Sequence, residues 1–279
     1  MNTQESTAPV RIALLGAAGR MGTAILASAA EYPGVCISAV VVRSGQRPMH
    51  APAEAVCSIK LEPALDASDV LLDFSAPAAT AAAVAACVAA GKPLVTGVTG
   101  LDARVRARLA AAGKRIAVLA APNMSIGANL LIALTRVAAA ALDAEFDLEI
   151  VDIHHRDKRD APSGTAWALG EAAARARNLR LEEHALFTRH GQSSARAPGS
   201  IGFASLRAGD VAGEHRVLFA GPAEILELSH RAENRAAFAR GALAAARWIV
   251  QQNHGEYGMA DVLNLHTSST AVDAHPRLL

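Results

Sequence analysis

The densest chemistry in the chain lies in one run, Ile153-His154-His155-Arg156-Asp157-Lys158-Arg159-Asp160-Ala161-Pro162-Ser163-Gly164-Thr165. Lysine is rare here, and Lys158 is one of only four in a chain whose other basic residues are arginines. A lysine can release a proton near neutral pH, whereas an arginine cannot. His154 and His155 add rings with an ordinary pKa of about 6.5, suited to moving a proton or gripping an anion. Pro162-Ser163-Gly164-Thr165 precedes a helical stretch over 166–177, which puts Ser163 near the N-cap and leaves the first-turn amides free for a small anion such as a carboxylate. An isolated Ser-Gly-Thr would be a cap with nothing bound. Beside His154, His155 and Lys158 it reads as an anion site. Asp157 and Asp160 with the two histidines also offer metal ligands, but adjacent strand side chains point to opposite faces and no H-x-x-x-H or cysteine partner completes a set, so no metal is expected.

A second feature lies near the start. The β-branched run 10–15 leads into Gly16-Ala17-Ala18-Gly19-Arg20-Met21-Gly22 and then a helix-forming stretch over 23–30. Small residues in this order let the chain turn tightly and bring backbone N–H groups to a pyrophosphate at a helix N-terminus. A plain strand-helix turn is the alternative, since Ala18 stands where the commoner fingerprint has glycine. About 20 positions on, where NAD-preferring folds carry an acid for the ribose hydroxyls, the sequence has Val42-Arg43-Ser44. With no carboxylate to repel a 2′-phosphate and Arg43 available to bind one, NADPH is expected to be preferred and NADH possible. The alternative for Arg43 is a solvated loop residue.

These features need elements to position them. Strand-like runs at 10–15, 35–42, 70–74, 93–96 and 116–120 alternate with helical stretches, the rhythm of parallel βαβ units. Their near-continuous apolarity fits strands covered on both faces. After Asn123 the rhythm changes. A long helix over 127–142 leads to a strand at 148–153, the His-His-Lys segment and a helix; then runs at 201–206, 217–219 and 225–229 resemble a meander, before a last helix at 235–250. The expected fold is therefore α/β, a Rossmann-type doubly wound parallel sheet with a second α+β domain on an open mixed or antiparallel sheet. Residues 1–124 plus 234–279 form the nucleotide domain and 125–233 the substrate domain.

Composition narrows the partners. The chain has 279 residues, 27 basic against 26 acidic side chains, 52% hydrophobic and 19% charged residues. A formal charge of +1 lacks the attraction that nucleic-acid or anionic-membrane binders show, and favours small molecules as partners. Roughly a quarter of the residues are alanine, far above average usage. The alanine-rich run 76–90 falls short of the ~20 residues that a bilayer-spanning helix needs. No secretory signal is visible over 1–10, and Cys36, Cys57 and Cys87 have no paired spacing, so they read as small buried hydrophobes of a reducing cytoplasm. His184, His190, His215 and His230 are scattered and read as structural or solvated. Arg104, Arg106 and Arg108 read as a wetted helix face, and the polar tail after Leu265 as disordered.

Taken together, His154-His155-Arg156-Asp157-Lys158 and Asp160-Ala161-Pro162-Ser163-Gly164-Thr165-Ala166 resemble the signature of the 4-hydroxy-tetrahydrodipicolinate reductase family, formerly called dihydrodipicolinate reductases, of the bacterial lysine and diaminopimelate pathway. Asp73-Phe74-Ser75, Thr96-Gly97-Val98-Thr99-Gly100, Ala121-Pro122-Asn123-Met124-Ser125, residues 199–203 and Arg207-Ala208-Gly209-Asp210-Val211-Ala212-Gly213-Glu214-His215 extend the likeness over most of the chain. The resemblance implies a cytoplasmic homotetramer with the second sheet at its core, acting on a cyclic dicarboxylate. It implies that His154 and Lys158 handle protons, that His155, Gly164 and Thr165 bind the dicarboxylate, and that Gly97, Val98, Thr99, Ala121, Pro122, Asn123 and Met124 line the nicotinamide side. Three positions depart from the pattern: Met124 stands for a common Phe, Asp157 for a common His or Asn, and Val42 for the acid of NADH-using members. A two-domain aspartate or homoserine type of dehydrogenase should lack the His-His-Lys and Pro-Ser-Gly-Thr combination. A nucleotide-sensing regulator should carry a basic recognition helix, and none is visible.

Overall fold

The computed structural model describes residues 8–192 and 194–265. The tail after Leu265 and most of the first ten residues lie outside them. Strands β1 (Val10–Leu15), β2 (Val35–Val41), β3 (Val56–Ser58), β4 (Val70–Asp73), β5 (Leu94–Thr96) and β6 (Ala117–Ala120) alternate with α1 (Arg20–Ala29), α2 (Glu62–Asp66), α3 (Pro77–Ala90) and α4 (Ala103–Gly113). Next come α5 (Ile126–Ala141), β7 (Asp147–His154), α6 (Gly164–Ala176), α7 (Leu181–His184), β8 (Ala185–Leu186), β9 (Ile201–Arg207), β10 (Gly213–Ala220) and β11 (Ile225–Ala232). The described chain closes with α8 (Ala236–Ile249), β12 (Gly255–Tyr257) and α9 (Met259–Val262).

The first sheet has the order β12-β6-β5-β4-β1-β2-β3, and every pairing in it is parallel. Chain direction across the sheet reverses between β1 and β4, which opens a crevice beyond their carboxyl ends. In β1, Ile12 and Leu14 pack beneath α1 and α8, while Ala13 and Leu15 pack against the α3–α4 side. Burial on both faces explains the unbroken apolar strand. The alanine surplus has a use in α8, where Ala239, Ala242, Ala245 and Ala246 are fully buried and the helix lies close to the sheet. The alanine-rich run forms α3, and among the described residues no helix is long and apolar enough to cross a membrane. Arg104, Arg106 and Arg108 are exposed on α4. Of the cysteines only Cys87 is buried; Cys36 and Cys57 are partly exposed, because each lies on a strand near the β3 edge.

The second sheet is mixed, in the order β11-β10-β7-β9-β8. The expected meander is incorrect: β9 runs parallel to β7, β10 antiparallel to it, and β7 lies between them. The short 208–212 connection therefore crosses the carboxyl end of β7, and it is held there by Ala208 N–H to His154 C=O at 2.9 Å and Arg156 N–H to Gly209 C=O at 3.1 Å. Along β7 burial alternates, so Leu148, Ile150, Asp152 and His154 share the face under the helices. The first two meet Phe219 and Val217 of β10 in the core, and the last two stand at the polar end of the same row.

Candidate active site

At the crevice, Gly16 has φ +84°, and a Cβ there would lie 2.6 Å from the Phe74 carbonyl oxygen. A Cβ on Gly22 would lie 2.3 Å from the Gly16 carbonyl oxygen. Only glycine admits this turn. Helix α1 starts at Arg20, three residues before the expected start, because Gly19 serves as N-cap with no side chain to occupy the first amides. Arg20 and Met21 thus lie on its first turn, with Ala18, Gly19 and Arg20 exposed and Ala17 buried beneath. A bare helix N-terminus over a cradle that a Cβ would fill is what a pyrophosphate requires. Arg43 and Ser44 are exposed just past the end of β2.

The other crevice walls are organised by Asp73, a fully buried carboxylate. Its oxygens accept the Ser75 amide at 3.0 Å, the Thr80 hydroxyl at 2.8 Å and the Thr96 hydroxyl at 3.2 Å. These bonds tie the carboxyl ends of β4 and β5 together. Gly97 follows, donating to the Asp73 carbonyl, and it lies so close to the Phe74 ring that a Cβ would meet it at 2.3 Å. Val98 is buried and Thr99 exposed, while Ala121 donates to the Thr96 carbonyl at 3.1 Å. Pro122 is exposed, Asn123 half-buried and Met124 buried, so this segment leads from the crevice directly into α5.

On the second sheet, His154 and Asp152 are both buried, with His154 Nδ1 donating to Asp152 Oδ2 at 3.1 Å. Asp152 also accepts the Ser205 hydroxyl at 2.5 Å and the Arg207 guanidinium at 3.0 Å, both from β9, where Ser205 is in register with Asp152 and Arg207 with His154. Burial pushes the Asp152 carboxyl up, but hydrogen bonds from His154 and Ser205 and the Arg207 charge outweigh it and hold it at about 2. A carboxylate fixed as an anion sets the tautomer of His154, with the proton on Nδ1. His155 sits half-buried just beyond the strand, and Lys158 follows on a turn closed by its amide to the His155 carbonyl. The Lys158 ammonium pairs with Asp160 at 2.8 Å. Burial is the largest single influence on the Asp160 carboxyl and pushes it up, but the Lys158 hydrogen bond and charge, with smaller contributions, outweigh it and leave the carboxyl below its ordinary value.

Ser163 is buried, and its hydroxyl accepts the Ala166 amide at 3.1 Å, so the side chain is the α6 cap. The helix begins at Gly164, two residues before the expected 166. The Gly164 and Thr165 amides lack intrahelical partners, and Gly164 is exposed, with open space where a Cβ would lie. Asn123 Nδ2 donates to the Thr165 hydroxyl at 2.8 Å, which joins the crevice segment to this turn. The structure thus brings His154, Lys158 and the α6 N-terminus to one place. The Gly16–Gly22 loop and Arg43 lie along the first sheet. Among the described residues no group of three or more His, Cys, Asp or Glu side chains could hold a metal ion.

Asp152, Arg207 and His215 are neighbours of His154 that reading the motifs separately did not bring together. His215 and His230 are not scattered: they face each other across β10 and β11, and the His215 and His154 ring centroids lie 5.1 Å apart. Burial, helped by the His154 charge, drives the His215 pKa from its ordinary 6.5 to about 4. Burial lowers His230 as well. A ring whose folded pKa is depressed contributes its stability fully above pH about 6.5 and loses it as pH falls through about 4. The difference at His215 corresponds to about 3 kcal/mol. Urea unfolding of the wild type is expected to lose stability over that window more steeply than His215→Gln; parallel curves would contradict it.

A doubly wound sheet with a bare helix N-terminus at its crevice, joined to a mixed sheet that carries a histidine-lysine cluster, defines an oxidoreductase that uses a pyridine nucleotide. The model of the dihydrodipicolinate reductase N-terminus matches residues 10–124, and that of the C-terminus matches 127–263. This chain belongs to the dihydrodipicolinate reductase family. The 4-hydroxy-tetrahydrodipicolinate reductase of Thiobacillus denitrificans is 45% identical over 264 residues, covering 92% of this chain and 99% of that protein. The enzyme of the same name from Methylocella silvestris is 45% identical over 265 residues, covering 92% and 97%. Dihydrodipicolinate reductase from Paenisporosarcina sp. TG-14, solved with dipicolinate bound, shares the fold with a TM-score of 0.74 at 23% identity, covering 91% of this chain and 98% of that one.

Proposed function

We propose that this chain reduces 4-hydroxy-tetrahydrodipicolinate to tetrahydrodipicolinate, with loss of water, in diaminopimelate and lysine biosynthesis. The observation that carries the reading is the meeting of the Asp152-held His154, Lys158 and the uncapped amides of Gly164 and Thr165 in a chain of this family. Relatives at 45% identity bear that substrate in their names, and dipicolinate in the Paenisporosarcina enzyme is a cyclic dicarboxylate of the same class.

In this reading one substrate carboxylate sits on the amides of Gly164 and Thr165, with His155 and the Thr165 hydroxyl beside it and Ser163 holding the turn. Gly16, Ala17, Ala18, Gly19, Arg20 and Met21 hold the pyrophosphate; Gly97, Val98, Thr99, Ala121, Pro122, Asn123 and Met124 face the nicotinamide. When bound, the reduced nucleotide supplies a hydride. Lys158 or His154 supplies the proton, so that after water leaves, one hydride and one proton complete the two-electron reduction. The cationic neighbours stabilise negative charge that develops on the ring. Loss of NADPH absorbance with substrate supplied by the upstream synthase is the expected result; an enzyme that oxidises no NADPH under those conditions overturns the reading.

NADPH is the preferred nucleotide in this proposal, because Arg43 lies past β2 where no carboxylate competes. Arg43→Ala is expected to raise the KM for NADPH about tenfold, the worth of one charged hydrogen bond, with little change for NADH. Equal shifts for both nucleotides would remove the assignment. The return of α8 and β12 to the first sheet supports a nucleotide domain of 1–124 plus 234–279 and a substrate domain of 125–233. A homotetramer is supported by the exposed apolar stripe Ile126, Leu130, Leu134 and Val137 on α5 and by Ile225 and Leu226 on the open edge strand β11. Three unpaired cysteines suit the cytoplasm. A tetrameric mass by sedimentation and recovery in the soluble cell fraction are expected; a monomer or a membrane-bound protein contradicts them.

A further inference from the structure

Three histidines line the polar end of the second sheet. His215 on β10 is in register with Asp152 on β7 and with His230 on β11. Its ring stands edge-on to His154 at 70° and nearly parallel to His230, with centroids 6.4 Å apart at 18°. Two of these rings meet helix caps in the same way. His215 Nε2 lies 3.3 Å from the Ser163 hydroxyl, which accepts the Ala166 amide and caps α6. His230 Nε2 lies 3.2 Å from the Ser125 hydroxyl, which accepts the Ala128 amide at 3.3 Å and caps α5. Helix α5 sits directly on the second ring, since a Cβ on Gly127 would lie 2.6 Å from His230 Cδ2. Thus a strand histidine, a capping serine and a helix amide recur twice, and the Asn123–Thr165 bond closes the gap between the two helix starts.

The hydrogen-bond inventory chooses the His215 tautomer. The Ser163 oxygen already accepts an amide, which can only donate, and His215 Nδ1 is buried with no partner among the described residues. A buried N–H without a partner is a rarer and costlier orphan than a bare acceptor, so the proton belongs on Nε2. The ring then donates to Ser163, and the serine proton is left to point toward an anion at the helix start.

We propose that His215 is a positioning residue: as an Nε2–H donor to Ser163, packed edge-on against His154, it fixes the anion-binding start of α6 relative to the proton-handling ring. The proposal rests on the assignment of His154 and the 163–165 turn to the reductase site. Burial supports it by keeping the ring neutral, because a cation there would place a charged N–H at the orphaned Nδ1.

The test compares His215→Leu with His215→Gln, whose carboxamide can place a donor near the position of Nε2. In the leucine variant the KM for substrate and the Kd for dipicolinate, measured by calorimetry, are expected to rise about tenfold, with NADPH affinity within about twofold of the wild type. Glutamine is expected to recover most of the dipicolinate affinity. Unchanged dipicolinate affinity in the leucine variant, or equal losses in both variants, overturns the proposal. Nitrogen-15 NMR of histidine in the wild type checks it without any substitution: an Nε2–H tautomer is expected, and an Nδ1–H or doubly protonated ring overturns it. A wild type that binds dipicolinate but reduces nothing would fail the reductase reading and leave these affinity and tautomer results standing as the test of His215.

Discussion

Replacing Lys158 with alanine is expected to lower kcat about 10²- to 10⁴-fold, the range for loss of a positioned proton donor, while NADPH affinity stays within about twofold. The lysine is held rather than free. Its backbone closes a turn on His155, its ammonium pairs with Asp160 at 2.8 Å, and only 21% of its side chain is exposed. Arg207 fixes the same turn from β9 by donating to the Asp160 carbonyl at 2.5 Å. None of these contacts touches the Gly16–Gly22 loop, so dinucleotide binding has no reason to change. Lys158→Arg separates charge from proton transfer: it keeps a cation at this turn but cannot release a proton near neutral pH. It should restore much of the KM and little of the kcat. Steady-state kinetics with separately titrated NADPH reads both, and near-normal turnover in the alanine variant would sink the assignment.

The second large effect is expected at Asp152. Asp152→Ala removes a carboxylate that is 1% exposed and bound by His154, Ser205 and Arg207, and it leaves the largely covered Arg207 guanidinium without its anion. Breaking a buried pair from one side costs about 3–5 kcal/mol. Turnover should fall as well, at least tenfold by the scale of general acid–base effects, because nothing then holds the His154 proton on Nδ1. Asp152→Asn preserves the shape and can still accept, so its stability should lie between wild type and alanine. Urea midpoints and kcat for the two variants decide the matter. An alanine variant as stable as the wild type would show that the network carries no folding energy.

Much of the first sheet was legible because its signals are local. Runs such as Val10–Leu15 are apolar on both faces, and Gly16 and Gly22 sit where a Cβ would strike backbone. The start of α1 was misplaced because Gly19 gives no capping side chain from which to read it. Strands β3, β8 and β12 have three, two and three residues, too few to show a period. The meander reading failed for another reason. Runs at 201–206, 217–219 and 225–229 look alike whether they pair with each other or take β7 between them, since alternation records which face is buried and not which strand is next.

The same distinction divides the site. By itself the sequence determined which side chains can do chemistry, that a glycine turn and a serine-capped turn each open a helix, and the family to which the motifs point. Those are properties of neighbours along the chain. Only the tertiary structure decided that β7 is the central strand, that the 208–212 crossing pins the chain after His154, and that Asp152, Ser205, Arg207, His215 and His230 gather at one end of one sheet face. Asp152 and His215 are far apart in sequence and become neighbours through the β7–β10 register. Hydrogen bonding between strands sets that register across the whole sheet, with Leu148 and Ile150 buried against Phe219 and Val217, so the polar row is placed by the packing of the apolar one.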